Sequence, residues 1–397
     1  MRDLNHIKLA QETSMLYRGG LVNGDTLHPE APPLYATTAF MMDDLYKQFE
    51  VNETRGYNYI RGTNPTRDAL GELISCAEEG EWSLLFSSGM GAIYSTITTF
   101  AKSGDHVVAN SDLYGETIDL LSNHLSRSGV ETTFVPFSDL DAVRAAAKPN
   151  TRLFYSEVIS NPLTNIVDVK AVADIAHEAG ALYCVDSTFS TPYVIQPLKH
   201  GVDLVIHSLT KYFNGHSDAC GGSVTGSRAL LEQIRRVMLL VGSSLDPYSS
   251  WIILRGARTM GMRVRKQNEN AAQLAAFLEH HPKVEKVYHP SLPSHPQHAF
   301  ARSVFHDGFY GAIVTFSMQC SIEKINDFMH HLNLVTYLPS LGGYRTTLSH
   351  PVSSSHHDVP EAVRLKMGIH DGMLRISVGC EDIHDLIHDF ETALEAM

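Results

Sequence analysis

The chain has 397 residues, 43% apolar and 19% charged, and its formal net charge of −13 argues against nucleic acids and anionic membranes as partners. A chain of this length is too long to fold around one compact hydrophobic core, so two or three domains are expected. Because no apolar run approaches the roughly 20 residues of a membrane span and the start lacks a signal-peptide core, we expect a cytoplasmic protein.

The cysteines and histidines give no metal pattern. The five cysteines are scattered with no CxxC pair, which indicates reduced thiols rather than a disulfide frame or a zinc site. Adjacent histidine pairs lack metal-ligand spacing; they are His280-His281, His330-His331 and His356-His357. We therefore expect no metal.

Residues 1–62 are expected to form an arm rather than a domain. This stretch contains clustered glycines and prolines without a strong helical period. These residues are Gly19, Gly20, Gly24, Pro29, Pro32 and Pro33.

Residues 63–258 alternate short apolar strands with helices, which predicts a mainly parallel sheet covered by helices. The predicted strands are Leu84–Phe86, His106–Ala109, Leu153–Tyr155, Ala181–Val185 and Leu204–Ile206. A helix through Val172 and Ala179 is expected to end at Gly180. Ligands of such folds lie at the carboxyl ends of the strands.

Residues 259–397 are expected to form a smaller α/β domain. A long helix runs through Asn268–Leu278, and strands are predicted at Val284–Tyr288 and Gly311–Phe316. The final helix places apolar residues on one face; these are Ile383, Leu386, Ile387, Phe390 and Leu394.

The most informative segment is His207–Lys211, which follows an apolar strand. Lys211 could form a Schiff base with pyridoxal 5'-phosphate (PLP), and the hydroxyls of Ser208 and Thr210 suit its phosphate. The alternative is a surface lysine after a buried strand. Three further features decide between these interpretations.

Each of these features could supply one kind of contact that bound PLP needs: a partner for the ring nitrogen, a phosphate site or a ring to stack on. Asp186 closes a strand where a carboxylate could pair with the pyridine nitrogen, although it could also be a turn or capping aspartate. The glycine-containing turn Ser87–Ala92 follows a strand and precedes a helical run, where backbone amides can bind phosphate, although such turns are also common without a ligand. Tyr114 follows the next strand and could stack on the ring or serve only in packing. The phosphate turn, the stacking tyrosine, the aspartate and the lysine follow one another in this order along the chain, which favours a PLP enzyme.

With these motifs the chain resembles the Cys/Met-metabolism PLP-dependent family, which includes methionine γ-lyase, cystathionine γ-lyase, cystathionine γ-synthase and O-acetylhomoserine sulfhydrylase. The likeness runs from the arm motif at Tyr59–Thr66 to the closing segment at Leu374–Gly379. It implies fold-type I α/β architecture, like aspartate aminotransferase, with a mainly parallel large-domain sheet. It also implies a homodimer as the smallest active unit and a homotetramer as the assembly.

The resemblance implies a role for each matching residue. Tyr59 and Arg61 match the arm motif that reaches the neighbouring subunit's phosphate, a role that suits a guanidinium. The cofactor-binding matches are Gly89, Met90, Tyr114, Asn161, Asp186, Ser208, Thr210 and Lys211. Ser340 and Arg375 match residues that bind the substrate carboxylate. Lys211 and Tyr114 are the implied catalytic residues.

The implied reaction is γ-elimination on an amino acid with a heteroatom at Cγ, through a vinylglycine-type intermediate. γ-Replacement by a synthase is the alternative, and a non-catalytic PLP-fold binding protein is a more distant one. Glu116 stands where methionine γ-lyases carry cysteine, and its charge favours a cationic side chain such as that of cystathionine or canavanine, unless it faces solvent. Pro339 and Arg345 depart from the glutamates of cystathionine enzymes.

Overall fold

The computed structural model describes residues 9–19, 29–306, 308–357, 359 and 361–397. Gly20 and Gly24, together with the rest of residues 1–8 and 20–28 of the expected arm, lie outside the described residues. No helix in the described chain is both long and apolar enough to cross a membrane. The described residues also contain no cluster of three or more His, Cys, Asp or Glu side chains suited to a metal ion.

The strands form two separate sheets. The seven strands of the larger sheet are β1 (Trp82–Phe86), β2 (His106–Asn110), β3 (Glu131–Val135), β4 (Thr151–Glu157), β5 (Leu182–Asp186), β6 (Leu204–Ser208) and β7 (Gly222–Gly226). The five strands of the smaller sheet are β8 (Lys286–Tyr288), β9 (Ile313–Ser317), β10 (Thr336–Tyr337), β11 (Thr347–Ser349) and β12 (Met373–Ser377).

Helices surround both sheets. The α-helices are α1 (Gln11–Tyr17), α2 (Leu45–Thr54), α3 (Pro65–Glu78), α4 (Gly89–Phe100), α5 (Gly115–Asp119), α6 (Leu140–Ala146), α7 (Val169–Glu178), α8 (Thr191–Val194), α9 (Arg228–Val241), α10 (Pro247–Ala257), α11 (Met260–Glu279), α12 (His298–Val304), α13 (Ile322–His331), α14 (Glu361–Lys366) and α15 (Ile383–Ala396). A π-helix spans Leu120–Leu125, and 3₁₀ turns span Pro197–His200 and Pro351–Ser353.

The larger sheet has the order β1-β7-β6-β5-β4-β2-β3, and β7 alone runs antiparallel to its neighbours. This confirms the mainly parallel sheet. The smaller sheet has the order β10-β11-β12-β9-β8. The two sheets lie within the expected segments 63–258 and 259–397, and the division into domains stays a prediction.

The expectation of an irregular arm was wrong in part, because α1 and α2 lie within residues 1–62. Helix α2 begins at Asp44, whose carboxylate accepts a hydrogen bond from the Lys47 amide at 2.8 Å. Nearly all of its side chains are at least partly exposed, so it lacks the apolar period that reveals a buried face. The arm does lie over the rest of the chain, since Arg258 donates to the carbonyl of Met15.

Two strands of the smaller sheet begin two residues later than predicted. Gly311 has a φ of +90°, and Asn268 Oδ1 accepts from its amide, so the chain turns there before β9. Val284 donates to His281 in a turn, so β8 begins only at Lys286. The C-cap at Gly180 is confirmed, since α7 ends at Glu178 and Gly180 has a φ of +70°.

Candidate active site

Five parallel strands of the larger sheet end at one edge. Their last residues are Phe86, Asn110, Glu157, Asp186 and Ser208. Side chains and turns that follow these strands therefore meet at the carboxyl edge of the sheet, where ligands of parallel sheets bind.

The lysine turn, defined as Ser208–Gly215, follows β6. The Lys211 amide donates to the Ser208 carbonyl at 3.1 Å, and the Gly215 amide donates to the Lys211 carbonyl at 2.7 Å. Arg263 in α11 donates from Nη1 to the Tyr212 carbonyl at 3.0 Å. A Cβ atom at Gly215 would lie 1.9 Å from this guanidinium, and Gly215 has a φ of +69°, so only glycine fits.

The amine of Lys211 faces the smaller sheet's loops. Its Nζ lies 3.5 Å from Ser340 Oγ, too far for a strong hydrogen bond. Burial lowers the pKa of Lys211, and the nearby Arg375 cation lowers it further. The structure thus provides a largely buried amine with a reduced affinity for protons.

Asp186 is a partly buried carboxylate at the end of β5. Its Oδ1 accepts from the Thr188 amide at 2.9 Å, and Thr188 Oγ1 accepts from the Ser208 amide at 2.8 Å. Burial raises the pKa of Asp186, while the hydrogen bonds of Thr188 and the proximity of His207 lower it. A cationic ring nitrogen would offset the penalty of burying this charge.

The turn before α4 approaches the lysine turn closely. Ser88 caps the helix by accepting from the Gly91 amide at 3.0 Å. A Cβ atom at Gly89 would lie 3.1 Å from Ser208 Cβ, and one at Gly222 would lie 2.2 Å from the Ser88 carbonyl oxygen. Glycine is therefore needed where the helix start, β7 and Ser208 meet. The helix start and the Ser208 hydroxyl form a cradle suited to a phosphate.

Met90 lies beside this cradle on the side of the helix, and Thr210 lies beside it in the lysine turn. Met90 lies in the first turn of α4 and is partly buried. Thr210 Oγ1 accepts from the Gly221 amide at 3.1 Å, which joins the lysine turn to the start of β7.

Tyr114 precedes α5, and 39% of its surface is exposed. Its amide donates to Glu157 Oε1 at 2.6 Å. Burial, followed by the negative charge of Glu116, raises the pKa of its phenol, whereas the positive charge of Arg375 lowers it. The ring therefore lies within electrostatic reach of both Glu116 and Arg375.

Arg375 lies in the middle of β12 and is 4% exposed. Nη1 donates to Asn161 Oδ1 at 3.0 Å, and Nη2 donates to the Ser340 carbonyl at 3.3 Å. Its Nε has no hydrogen-bond partner among the described residues. Burial lowers the pKa of Arg375 to about 10, so the group stays charged at neutral pH. Asn161, Lys211, Ser340 and Arg375 thus meet at one place.

Three predicted residues, Tyr59, Arg61 and Glu116, lie on the surface of the chain. Arg61 donates from Nη1 to the Leu239 carbonyl at 2.7 Å, and its guanidinium lies 5.9 Å from the centre of the Tyr59 ring. Both side chains are on the surface of the single chain, and their role at a neighbouring subunit stays a prediction. Glu116 is exposed.

The sequence interpretation missed several residues of the site. Thr188, Arg263 and the buried pair of Glu78 with His207, 2.5 Å apart, position the strand ends and the lysine turn. Glu157 was also missed, because the predicted strand stopped at Tyr155, whereas β4 continues to Glu157. These side chains bind other protein groups, so composition alone did not single them out.

The residues present fit PLP: an amine, a partly buried carboxylate and a glycine-lined cradle lie at one sheet edge. The family model for Cys/Met metabolism PLP-dependent enzymes matches residues 13–395. The chain is 40% identical to a cystathionine γ-lyase of Bacillus subtilis over 97% of this chain and 99% of the relative. It is 42% identical to an L-methionine γ-lyase of Fusobacterium nucleatum over 92% and 93%.

A solved structure from Campylobacter jejuni, described as an O-acetylhomoserine (thiol)-lyase, has a TM-score of 0.92 with 28% identity. The alignment covers 98% of this chain and 100% of that one, which contains a pyridoxyl-lysine monophosphate group. This fold likeness agrees with fold-type I architecture. The chain therefore belongs to the Cys/Met metabolism PLP-dependent enzyme family, and PLP is its cofactor.

Proposed function

We propose that the protein is a γ-lyase that eliminates a heteroatom substituent from Cγ of an amino acid. The observation that carries this proposal is the meeting of the Lys211 amine, Ser340 and the Arg375–Asn161 pair beside the cradle. When bound, PLP withdraws electrons from the substrate's α-carbon.

Arg375 is the proposed carboxylate-binding residue. It stays charged while buried, and its unpaired Nε leaves a donor for a ligand. Ser340 contributes a hydroxyl between Arg375 and Lys211. A substrate carboxylate bound there would bring its α-carbon near the lysine amine.

Lys211 is the proposed base. Burial and Arg375 lower its pKa, so its amine accepts a proton from the α-carbon nearer to neutral pH than a solvated lysine would. The same amine can then move a proton from Cβ. Tyr114, whose pKa is raised by burial, keeps its phenolic proton and can donate it to the leaving heteroatom.

Glu116 supports a substrate with a cationic distal group. It is close enough to Tyr114 to raise the pKa of that residue, yet it is exposed, so water weakens its effect. Cystathionine-, methionine- and canavanine-like amino acids are the substrate candidates. Arg345 lies with its guanidinium 5.3 Å from the centre of the Tyr344 ring, and this cation would oppose a second cationic group nearby.

A γ-replacement synthase is the second candidate. It is supported by the likeness to the Campylobacter jejuni protein, whose description names a thiol and an activated homoserine. The same residues would serve both reactions, because elimination and replacement differ only in whether water or a thiol completes the reaction.

We also infer that two chains share each site. Arg61 and Tyr59 are exposed, and Arg61 donates to the Leu239 carbonyl in α9. Large exposed apolar side chains also lie on the arm and at the end of α9. These side chains are Met41, Leu45, Tyr46, Phe49, Leu240 and Val241. An apolar surface of this kind fits a second copy of the chain, giving a homodimer and, by likeness to the family, a homotetramer.

The free cysteines support a reducing compartment. Cys76, Cys184, Cys220, Cys320 and Cys380 are all free in the structure. A cytoplasmic location is consistent with this state.

The test is product analysis with a panel of γ-substituted amino acids. We expect 2-oxo acid and ammonia without added thiol, and neither product from the Lys211→Ala variant. Replacement product without appreciable oxo acid would establish the synthase instead. Borohydride reduction followed by peptide mapping should place the cofactor on Lys211, and a label elsewhere would refute the site.

A further inference from the structure

Glu157 is a buried carboxylate that the proposed reaction does not use. It is the last residue of β4, and it is paired in register with Asp186 on β5. In a parallel sheet, side chains of paired residues point to the same face. Glu157 is 7% exposed, so it lies beside the proposed partner of the ring nitrogen and largely away from water.

The Glu157 carboxylate joins two loops of the site. Its Oε1 accepts from the Tyr114 amide at 2.6 Å, and the Asn161 backbone amide also hydrogen bonds to it. Asn161 in turn accepts from Arg375 through its side chain. One side chain therefore connects the loop of the stacking ring with the loop that contacts Arg375.

The buried position of the Glu157 carboxylate does not favour folding by itself. Burial raises the pKa of Glu157 well above its usual range, and the negative charges of Asp186 and Asp112 raise it further. The two backbone amides act in the opposite direction. A buried carboxyl next to like charges is a poor way to stabilise a sheet, because an apolar residue of similar size would avoid the penalty of burial.

We propose that Glu157 is a positioning residue that fixes the backbones of Tyr114 and Asn161 relative to Asp186, so that the cofactor ring binds in one orientation. This inference rests on the proposed places of Tyr114, Asn161 and Asp186 around PLP. It does not depend on which amino acid is the substrate or on whether elimination or replacement follows.

The test compares Glu157→Gln, Glu157→Leu and a control, Glu131→Gln. Glu131 lies in β3 of the same sheet but is exposed and paired with Lys148. Glutamine keeps one oxygen that can accept from the Tyr114 amide, whereas leucine keeps none. The readouts are the visible circular dichroism of bound PLP, the dissociation constant of PLP and the melting temperature of the holoenzyme.

We expect Glu157→Leu to weaken PLP binding by about 10- to 100-fold and to reduce the dichroism of the bound cofactor strongly, with Glu157→Gln between it and the wild type. The control should match the wild type in all three readouts. If Glu157→Leu does not fold, Glu157→Gln alone decides the question, because it preserves the size of the side chain.

Two results would overturn the proposal. One is that Glu157→Gln and Glu157→Leu both fold and both keep the wild-type dichroism of the bound cofactor and the wild-type PLP affinity. The other is a lower melting temperature with normal dichroism of the bound cofactor, which would assign Glu157 a role in stability only. Because these readouts need no substrate, a wrong substrate proposal would leave them unchanged and would appear only in the product analysis.

Discussion

Arg375 Nη1 and Asn161 Oδ1 lie 3.0 Å apart and join residues separated by 214 positions in the sequence. We expect Asn161→Ala to raise KM about 10-fold, because it leaves a buried donor unpaired. Arg375→Ala should reduce kcat/KM by about 100-fold or more, as expected for the loss of a buried charged contact. Steady-state kinetics on the best substrate checks both, with Asn123→Ala as an exposed control. Equal KM values for Asn161→Ala and the control would contradict the assignment.

Asp186→Asn should lower kcat about 100- to 1000-fold while the cofactor stays bound, because the ring nitrogen would lose its proposed anionic partner. Single-turnover measurements separate this loss from product release. Asp174→Asn, which changes an exposed carboxylate paired with Lys170, is the matched control. Retention of wild-type kcat by Asp186→Asn would show that the carboxylate lies elsewhere in the site.

Glu116→Ala should shift selectivity toward methionine and away from a cationic analogue by about fivefold, the size expected of one exposed charge. The ratio of kcat/KM values for the two substrates measures the shift. Added salt should weaken the preference of the wild type, because exposed charges are screened. Asp119→Ala, in the same helix, controls for a general change of charge. An unchanged ratio would place Glu116 outside the substrate pocket.

Mixed dimers test whether Arg61 acts on a neighbour's cofactor. Arg61→Ala and Lys211→Ala should each be nearly inactive alone. Random mixing should restore about a quarter of the wild-type activity, because half of the dimers are mixed and each has one intact site. Absence of recovery after verified subunit exchange would show that each chain completes its own site.

His289 should make stability depend on pH. Burial lowers its pKa from an ordinary 6.5 to about 4, although its hydrogen bond to the Gly311 carbonyl acts in the opposite direction. Between these values the unfolded chain binds more protons, so stability is full above pH 6.5 and is lost as the pH falls toward 4. We expect His289 alone to account for a loss of about 2 kcal/mol from pH 7 to pH 5.

Urea unfolding of the holoenzyme at fixed protein concentration measures this loss. His289→Gln should reduce the loss of stability between pH 7 and pH 5 by that amount, whereas the exposed His280→Gln should leave the loss as in the wild type. An equally steep loss in His289→Gln would assign the acid sensitivity to other groups, such as His295 and His356, whose pKa values are also lowered to about 4.

The sequence allowed the larger sheet and much of the site to be predicted, because both depend on local patterns. Apolar runs that end in Asp186 and Ser208 are visible in the sequence, and so is the glycine turn at Gly89. The arm helices were missed because their faces are mostly exposed and leave no apolar period. Glu157 and Arg263 were missed because their partners are backbone groups of distant segments, which no spacing in the sequence reveals.

Arg263 has a further consequence through its contacts with the Tyr212 and Phe213 carbonyls. It belongs to the long helix that leads into the smaller sheet, so we expect the lysine turn and that helix to be mechanically coupled. Coupling of this kind is reciprocal. Loading the protein with vitamin B6 should therefore protect amides of the long helix from hydrogen exchange, and loosening that helix should speed release of the vitamin.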